Sequence, residues 1–130
     1  VESTGHALPA PNPWGPLPRH LVMAPGHWSV DDLVAGVERG LMVTRLWYTR
    51  TLNAKQTLVT GMTRDGTFRI DGGRRGPAVR NLRYNQSVLE ALAGCDGVGD
   101  RLRVAVDGTS QTRAPALRLR SFRFTSVSDH

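Results

Sequence analysis

The side chains with the most chemistry to offer are one cysteine, Cys95, and four histidines, His6, His20, His27 and His130. A thiolate is a nucleophile or a zinc ligand, and imidazole is a common partner in either role. Their spacing supports neither use. A helical zinc pair needs two histidines four apart on one face, whereas three histidines here fall in or beside a proline-rich start and the fourth is the last residue. A lone cysteine forms no internal disulfide and no paired-cysteine metal site. The stretch Ala91-Leu92-Ala93-Gly94-Cys95-Asp96-Gly97 puts the thiol at the C-terminal end of an expected helix with a carboxylate beside it. A reactive thiol wants the opposite surroundings, a helix N-terminus, an imidazolium or a metal. Cys95 is therefore expected to be a small buried hydrophobe, and the chain to carry no catalytic and no metal-binding residue of its own.

Two further constellations deserve weighing. Asp31 and Asp32 are a carboxylate pair, but in the first turn of a helix carboxylates favour the positive end without catalysis. Arg64-Asp65-Gly66 and Gly72-Gly73-Arg74-Arg75-Gly76 have the composition of anion cradles. Neither belongs to a strand, glycine loop and helix succession that aims several amides at one ligand. Both read as turns, so Arg64, Arg74 and Arg75 are expected to face solvent and are the candidate contacts for a substrate or partner. Asn85-Gln86-Ser87 matches a glycosylation acceptor, which is idle without secretion.

The elements that must position these residues follow from caps and periodicity. Ser29-Val30-Asp31-Asp32 carries a hydroxyl followed three residues later by an acid, which predicts a helix start. Val30, Leu33, Val34 and Val37 recur on one helical face, so the helix is expected to run to about Arg39 and stop at Gly40. Ser87 and Glu90 repeat the device, with Val88, Ala91, Leu92 and Cys95 as the apolar stripe and Gly94 and Gly97 closing it. The rest reads as strand. Leu41 to Thr51 is rich in branched and aromatic residues, and Leu58 to Arg64 and Thr67 to Ile70 flank Asp65-Gly66, a hairpin signal. Asp71-Gly72-Gly73 predicts another turn, toward a strand from Pro77 to Tyr84. Leu102, Val104 and Val106 alternate with Arg101, Arg103 and Ala105, which predicts one buried and one wet face. Ala116 to Val127 changes phase around Arg120 to Phe122, the signature of a bulge or a sheet corner. The expected class is α+β, mostly β: a curled antiparallel sheet or barrel-like domain with two short helices.

Residues 1–28 hold six of the eight prolines and two of the three tryptophans. Proline fixes its own backbone and restricts its predecessor, so this segment is expected to be an extended arm packed on its own protein with Trp14 as anchor. Residues 29–130 then form the domain proper. A chain of 130 residues buries a core without staples. It begins with Val1 and shows no secretory signal, which predicts a piece of a longer protein. No apolar run approaches the roughly 20 residues that a membrane helix needs. One cysteine suits a reducing, cytoplasmic compartment. The net charge of +6 comes from sixteen arginines and Lys55 against eleven acids. That excess admits a nucleic-acid reading, but arginines spread through every segment lack the concentrated patch with stacking aromatics that such binding calls for.

Four runs resemble a known family. Residues Gly36-Val37-Glu38-Arg39-Gly40-Leu41-Met42-Val43-Thr44-Arg45-Leu46-Trp47-Tyr48-Thr49-Arg50 and Thr60-Gly61-Met62-Thr63-Arg64-Asp65-Gly66-Thr67-Phe68-Arg69-Ile70 are similar to the C-terminal domain of the TldD/PmbA proteins. Gly76 to Ser87 and the closing Phe122-Arg123-Phe124-Thr125-Ser126-Val127-Ser128-Asp129 continue the likeness, which covers roughly residues 24–129 in the right order. The resemblance implies a cytosolic zinc peptidase system, once described as a modulator of DNA gyrase, that trims peptide precursors and unfolded polypeptides. It implies a dimer of a metal-bearing TldD-type subunit with a PmbA-type (TldE) partner, or with a second copy. In the metal-bearing type an upstream HExxxH helix and a cysteine of a glycine-rich loop hold zinc. Here the corresponding interval, Val106-Asp107-Gly108-Thr109-Ser110-Gln111-Thr112-Arg113-Ala114, has no cysteine or histidine, and Cys95 comes too early to replace it. The resemblance thus implies the non-catalytic PmbA/TldE type, with zinc on the TldD-type partner and a peptide as substrate. Two alternatives stay open: a catalytic zinc peptidase whose metal site lies outside these residues, and a basic nucleic-acid-binding domain.

Overall fold

The computed structural model describes residues 5–13, 15–107 and 110–127, the Asp107 side chain excepted; Trp14 and His130 lie outside this set. Eight strands and two helices follow in the order β1 (His20–Val22), α1 (Val30–Ala35), β2 (Arg39–Asn53), β3 (Leu58–Asp71), β4 (Arg74–Ala78), β5 (Leu82–Ser87), α2 (Val88–Ala93), β6 (Cys95–Asp107), β7 (Ser110–Leu119) and β8 (Phe124–Val127). They build two sheets, a three-stranded one in the order β1-β7-β6 and a five-stranded one in the order β2-β3-β5-β8, with β4 also pairing β3. All pairs are antiparallel except β1 with β7. Neither sheet closes, so the barrel-like form is replaced by two open sheets.

Both helices start where their caps predict. The Ser29 hydroxyl accepts from the Asp32 N–H, and Asp32 reaches back to the Ser29 N–H at 3.1 Å; Ser87 accepts from the Glu90 N–H. Both stop early. Gly36 caps α1, whose N–H bonds Asp32 and Val34 carbonyls, and Gly40 is not a helix stop but a strand residue paired with Ile70. Glycine and branched valine are poor helix formers, so the ladder of β2 takes Arg39 and Gly40 instead. On the helices only Leu33 and Ala91 are buried; Val88 and Leu92, expected in the core, are exposed.

Asp65-Gly66 does not reverse the chain. β2 runs on opposite both halves of β3, with Val43 facing Thr67 and Arg45 facing Arg64. One residue of β2 therefore opposes two of β3, a bulge rather than a hairpin. Asp65 and Gly66 take φ values of 63° and 151°, and the Thr44 hydroxyl donates to the Gly66 carbonyl at 3.0 Å. The bend is sharp. Residues four apart on a flat strand stand about 13 Å apart, yet the Thr63 and Thr67 hydroxyls hydrogen-bond at 2.7 Å across it. The true reversal is at Gly72 and Gly73, with φ of 52° and 72°, where Asp71 pairs Arg74.

The expected strand from Pro77 to Tyr84 divides. β4 pairs the last part of β3 and β5 the first part, along the same edge. The phase change near Arg120 to Phe122 is a sheet corner: β7 belongs to the three-stranded sheet and β8 to the five-stranded one. The core sits beneath β3 and β5, where Tyr84 is fully buried with its ring edge-on to Phe122 and its hydroxyl 2.6 Å from that of Thr49. In the arm, β1 pairs β7, and the Gly26 N–H bonds the Gly99 carbonyl of β6 at 2.8 Å.

Much apolar surface stays uncovered. The accessible area is 9854 Å², against about 6,800 Å² expected for a compact monomer of this mass. Leu102, Val104 and Val106, expected to be a buried row, are 38%, 55% and 69% exposed. The alternation is real, but no described element packs on it.

Candidate functional site

The long irregular pair β2–β3 sets up the most distinctive surface. Directly opposed residues of antiparallel strands share a face, so the register Arg45↔Arg64, Trp47↔Met62 and Arg50↔Thr60 places those six side chains together. Met62 and Thr60 then oppose Arg83 and Asn85 of β5. The opposite face carries Thr63, Tyr84 and Gln86 into the core. Four guanidinium groups thus occupy one side of the sheet, and none of its paired residues is acidic.

Aromatic rings organise these cations. The Arg45 guanidinium lies 4.4 Å from the Trp47 ring centre and that of Arg64 lies 5.9 Å from it. The Arg50 guanidinium lies 4.1 Å from the Tyr48 ring centre and also donates to the Tyr48 hydroxyl. Tyr48 takes φ 56° at an irregularity of β2, which swings its ring toward Arg50. Stacking uses the flat face of a guanidinium and leaves its N–H edge open to an anion. Arg45 alone is engaged by a carboxylate, that of Asp65 at 2.8 Å.

Of the three arginines singled out in the sequence, Arg64 lies on this face and the other two do not. Arg74 and Arg75 begin β4 and border a shallow groove of about 410 Å³ against Val30, Asp31 and Val34 of α1. Arg75 stacks on Phe68 at 5.0 Å. All three are exposed. Arg45, Trp47, Arg50 and Arg83 escaped the sequence reading; the spacing of Arg45 and Trp47 on a strand was a usable signal, while Arg83 joins them only through register.

Cys95 is not on the helical stripe. It opens β6, paired with Leu119, half-buried, with its thiol 3.5 Å from the Gly97 carbonyl. The adjacent Asp96 receives the Arg118 guanidinium at 2.7 Å and stands 3.8 Å from that of Arg120. The Arg118 hydrogen bond holds the Asp96 carboxyl below the usual carboxylate range, and the Ser29 hydrogen bonds do the same for Asp32. Both are structural pairings. Among the described residues no group of three or more His, Cys, Asp or Glu converges to hold a metal ion, and no helix is long and apolar enough to cross a membrane.

No curated protein matches the chain. The solved structure of TldE from Thermococcus kodakarensis superposes with a TM-score of 0.72 at 18% identity, over 98% of this chain and 28% of that one. A putative modulator of a DNA gyrase from Thermotoga maritima gives 0.74 at 19% identity, over 96% of this chain and 27% of that one. At such identities the likeness establishes a shared fold, and the chain spans little more than a quarter of either structure's length. A family model, the PmbA/TldA metallopeptidase C-terminal domain, matches residues 1–126, extending into the proline-rich arm. Two open sheets joined through α2 and the β7–β8 corner are the form that this model takes here, and the chain belongs to the PmbA/TldA metallopeptidase C-terminal domain family.

Proposed function

We propose that this domain serves a non-catalytic, TldE-type partner within a cytoplasmic zinc metallopeptidase complex that processes peptide precursors and unfolded polypeptides. The observation that carries the reading is the placement of the one thiol. Cys95 sits at the foot of β6 beside an arginine-paired aspartate, and the interval 106–114, where the resemblance puts a ligand cysteine, has no cysteine or histidine. Zinc would then be held by the TldD-type subunit, where it would supply Lewis-acid chemistry for peptide hydrolysis. This domain's part is to dock that subunit, or a second copy, and to wall the substrate chamber. The exposed apolar row Leu102, Val104 and Val106 supports docking. β2, at the edge of its sheet, offers backbone groups to an extended peptide.

The test is reconstitution. The full-length protein is purified alone, then mixed with a TldD-type subunit, and cleavage of an unfolded polypeptide is followed. The expected result is no cleavage alone and a stable complex whose activity exceeds that of the TldD-type subunit. Cleavage by the full-length protein alone would assign it the catalytic role.

A further inference from the structure

We infer that the guanidinium face built by Arg45, Arg50, Arg64 and Arg83 receives acidic segments of an extended polypeptide; this deepens the peptide-processing reading above and rests on it. The face is assembled by register rather than by chance proximity, since Trp47–Met62–Arg83 is one continuous cross-strand row. Arg64 and Arg83 have no carboxylate partner among the described residues, and the one acid beside the face, Asp65, is taken up by Arg45. Uncompensated like charges on neighbouring strands are unfavourable, so the arrangement gains from an anionic occupant.

The choice between polyanions turns on the rings. Single-stranded nucleic acid binds such surfaces by stacking bases on open aromatic faces. Guanidinium groups already lie over Trp47 and Tyr48, which favours an occupant that meets the N–H edges of the arginines instead. A carboxylate does so with two parallel hydrogen bonds. The carrier is an extended chain: lying along the edge strand β2 it meets Arg45 and Arg50 first, and the face continues inward through Arg64 on β3 to Arg83 on β5. Successive side chains of a bound strand alternate between two sides, so every second residue of the peptide faces the arginines.

The test is direct binding, independent of peptidase activity and of any partner subunit. The full-length protein is titrated against a fluorescein-labelled unfolded peptide with glutamate at alternate positions, a lysine counterpart of equal length, and a single-stranded oligonucleotide. Two double variants are compared, R64S/R83S on the face and R101S/R103S on β6; they remove equal charge from exposed positions, and circular dichroism verifies their folding. The glutamate peptide is expected to bind and the lysine peptide not. R64S/R83S should weaken binding about tenfold, as two exposed ion pairs predict, while R101S/R103S changes it less than about twofold. Equal binding of both peptides, equal losses in the two double variants, or tighter binding of the oligonucleotide would each overturn the inference. None of these outcomes touches the reconstitution result, so the two readings fail separately.

Discussion

Replacing Thr63 by valine keeps the shape of the side chain and deletes one oxygen from a fully buried site. That oxygen accepts from the Thr67 hydroxyl at 2.7 Å and from the Leu82 N–H at 3.0 Å, and its proton points to Asn81 Oδ1 at 3.4 Å. In Thr63→Val the Leu82 amide and the buried Thr67 hydroxyl both lose their acceptor. An orphaned buried polar group costs about 1–3 kcal/mol, so the variant should lose roughly 2–6 kcal/mol. Thr67→Val removes one bond and orphans nothing, since the Thr63 oxygen keeps Leu82; its cost should be about 0.5–1.5 kcal/mol. The double variant should be no less stable than Thr63→Val, because the second substitution removes a hydroxyl already stranded. Urea unfolding of the four proteins, with unchanged denaturant slopes, gives the coupling. Equal costs for the two single variants, or costs that simply add, would refute the claim that these hydroxyls tie the bulge of β3 to β5.

Gly61→Ala should destabilise by about 1–3 kcal/mol, the usual cost of overpacking a core, because its new methyl would lie 2.5 Å from the Tyr84 hydroxyl and 2.9 Å from the Trp47 carbonyl; thermal unfolding measures it, and a neutral effect would show that the sheet yields there. The Asp96 and Asp32 carboxyls are depressed below 3.8 by Arg118 and Ser29 respectively, so their stabilising contribution is complete above that pH and is lost as pH falls through the lower folded values. Asp96→Asn should therefore flatten part of the acid limb of a stability–pH profile, leaving the part due to Asp32, and an unchanged limb would dismiss the Arg118 pairing as a stabilising contact.

Features set by contacts a few residues apart were legible in the sequence. Ser29 and Ser87 cap their helices because a hydroxyl reaches an amide three residues on whatever the rest of the fold does. Gly72-Gly73 reverses the chain because two left-handed residues can do little else between paired strands. Asp65-Gly66 carries the same local signal, yet its outcome was decided elsewhere: β2 continues past it and keeps both halves of β3 in one ladder. Helix α1 ended early for a similar reason, since Arg39 and Gly40 were claimed by strand partners far away in sequence. The row Leu102, Val104 and Val106 was recognised as apolar, but alternation does not reveal what covers it. Of the candidate face, only Arg64 was visible, because it adjoins a turn signal. Its companions come from β2 and β5, and nothing short of register brings Arg45, Arg50 and Arg83 to it.

The central claim concerns the metal, and zinc content measures it most directly. The full-length protein and its Cys95→Ala variant are purified without a partner, dialysed against zinc-free buffer, and their metal determined by mass spectrometry. The account predicts far less than one zinc per chain in both. One zinc per chain would contradict it, and loss of that zinc in Cys95→Ala would make the thiol a ligand after all.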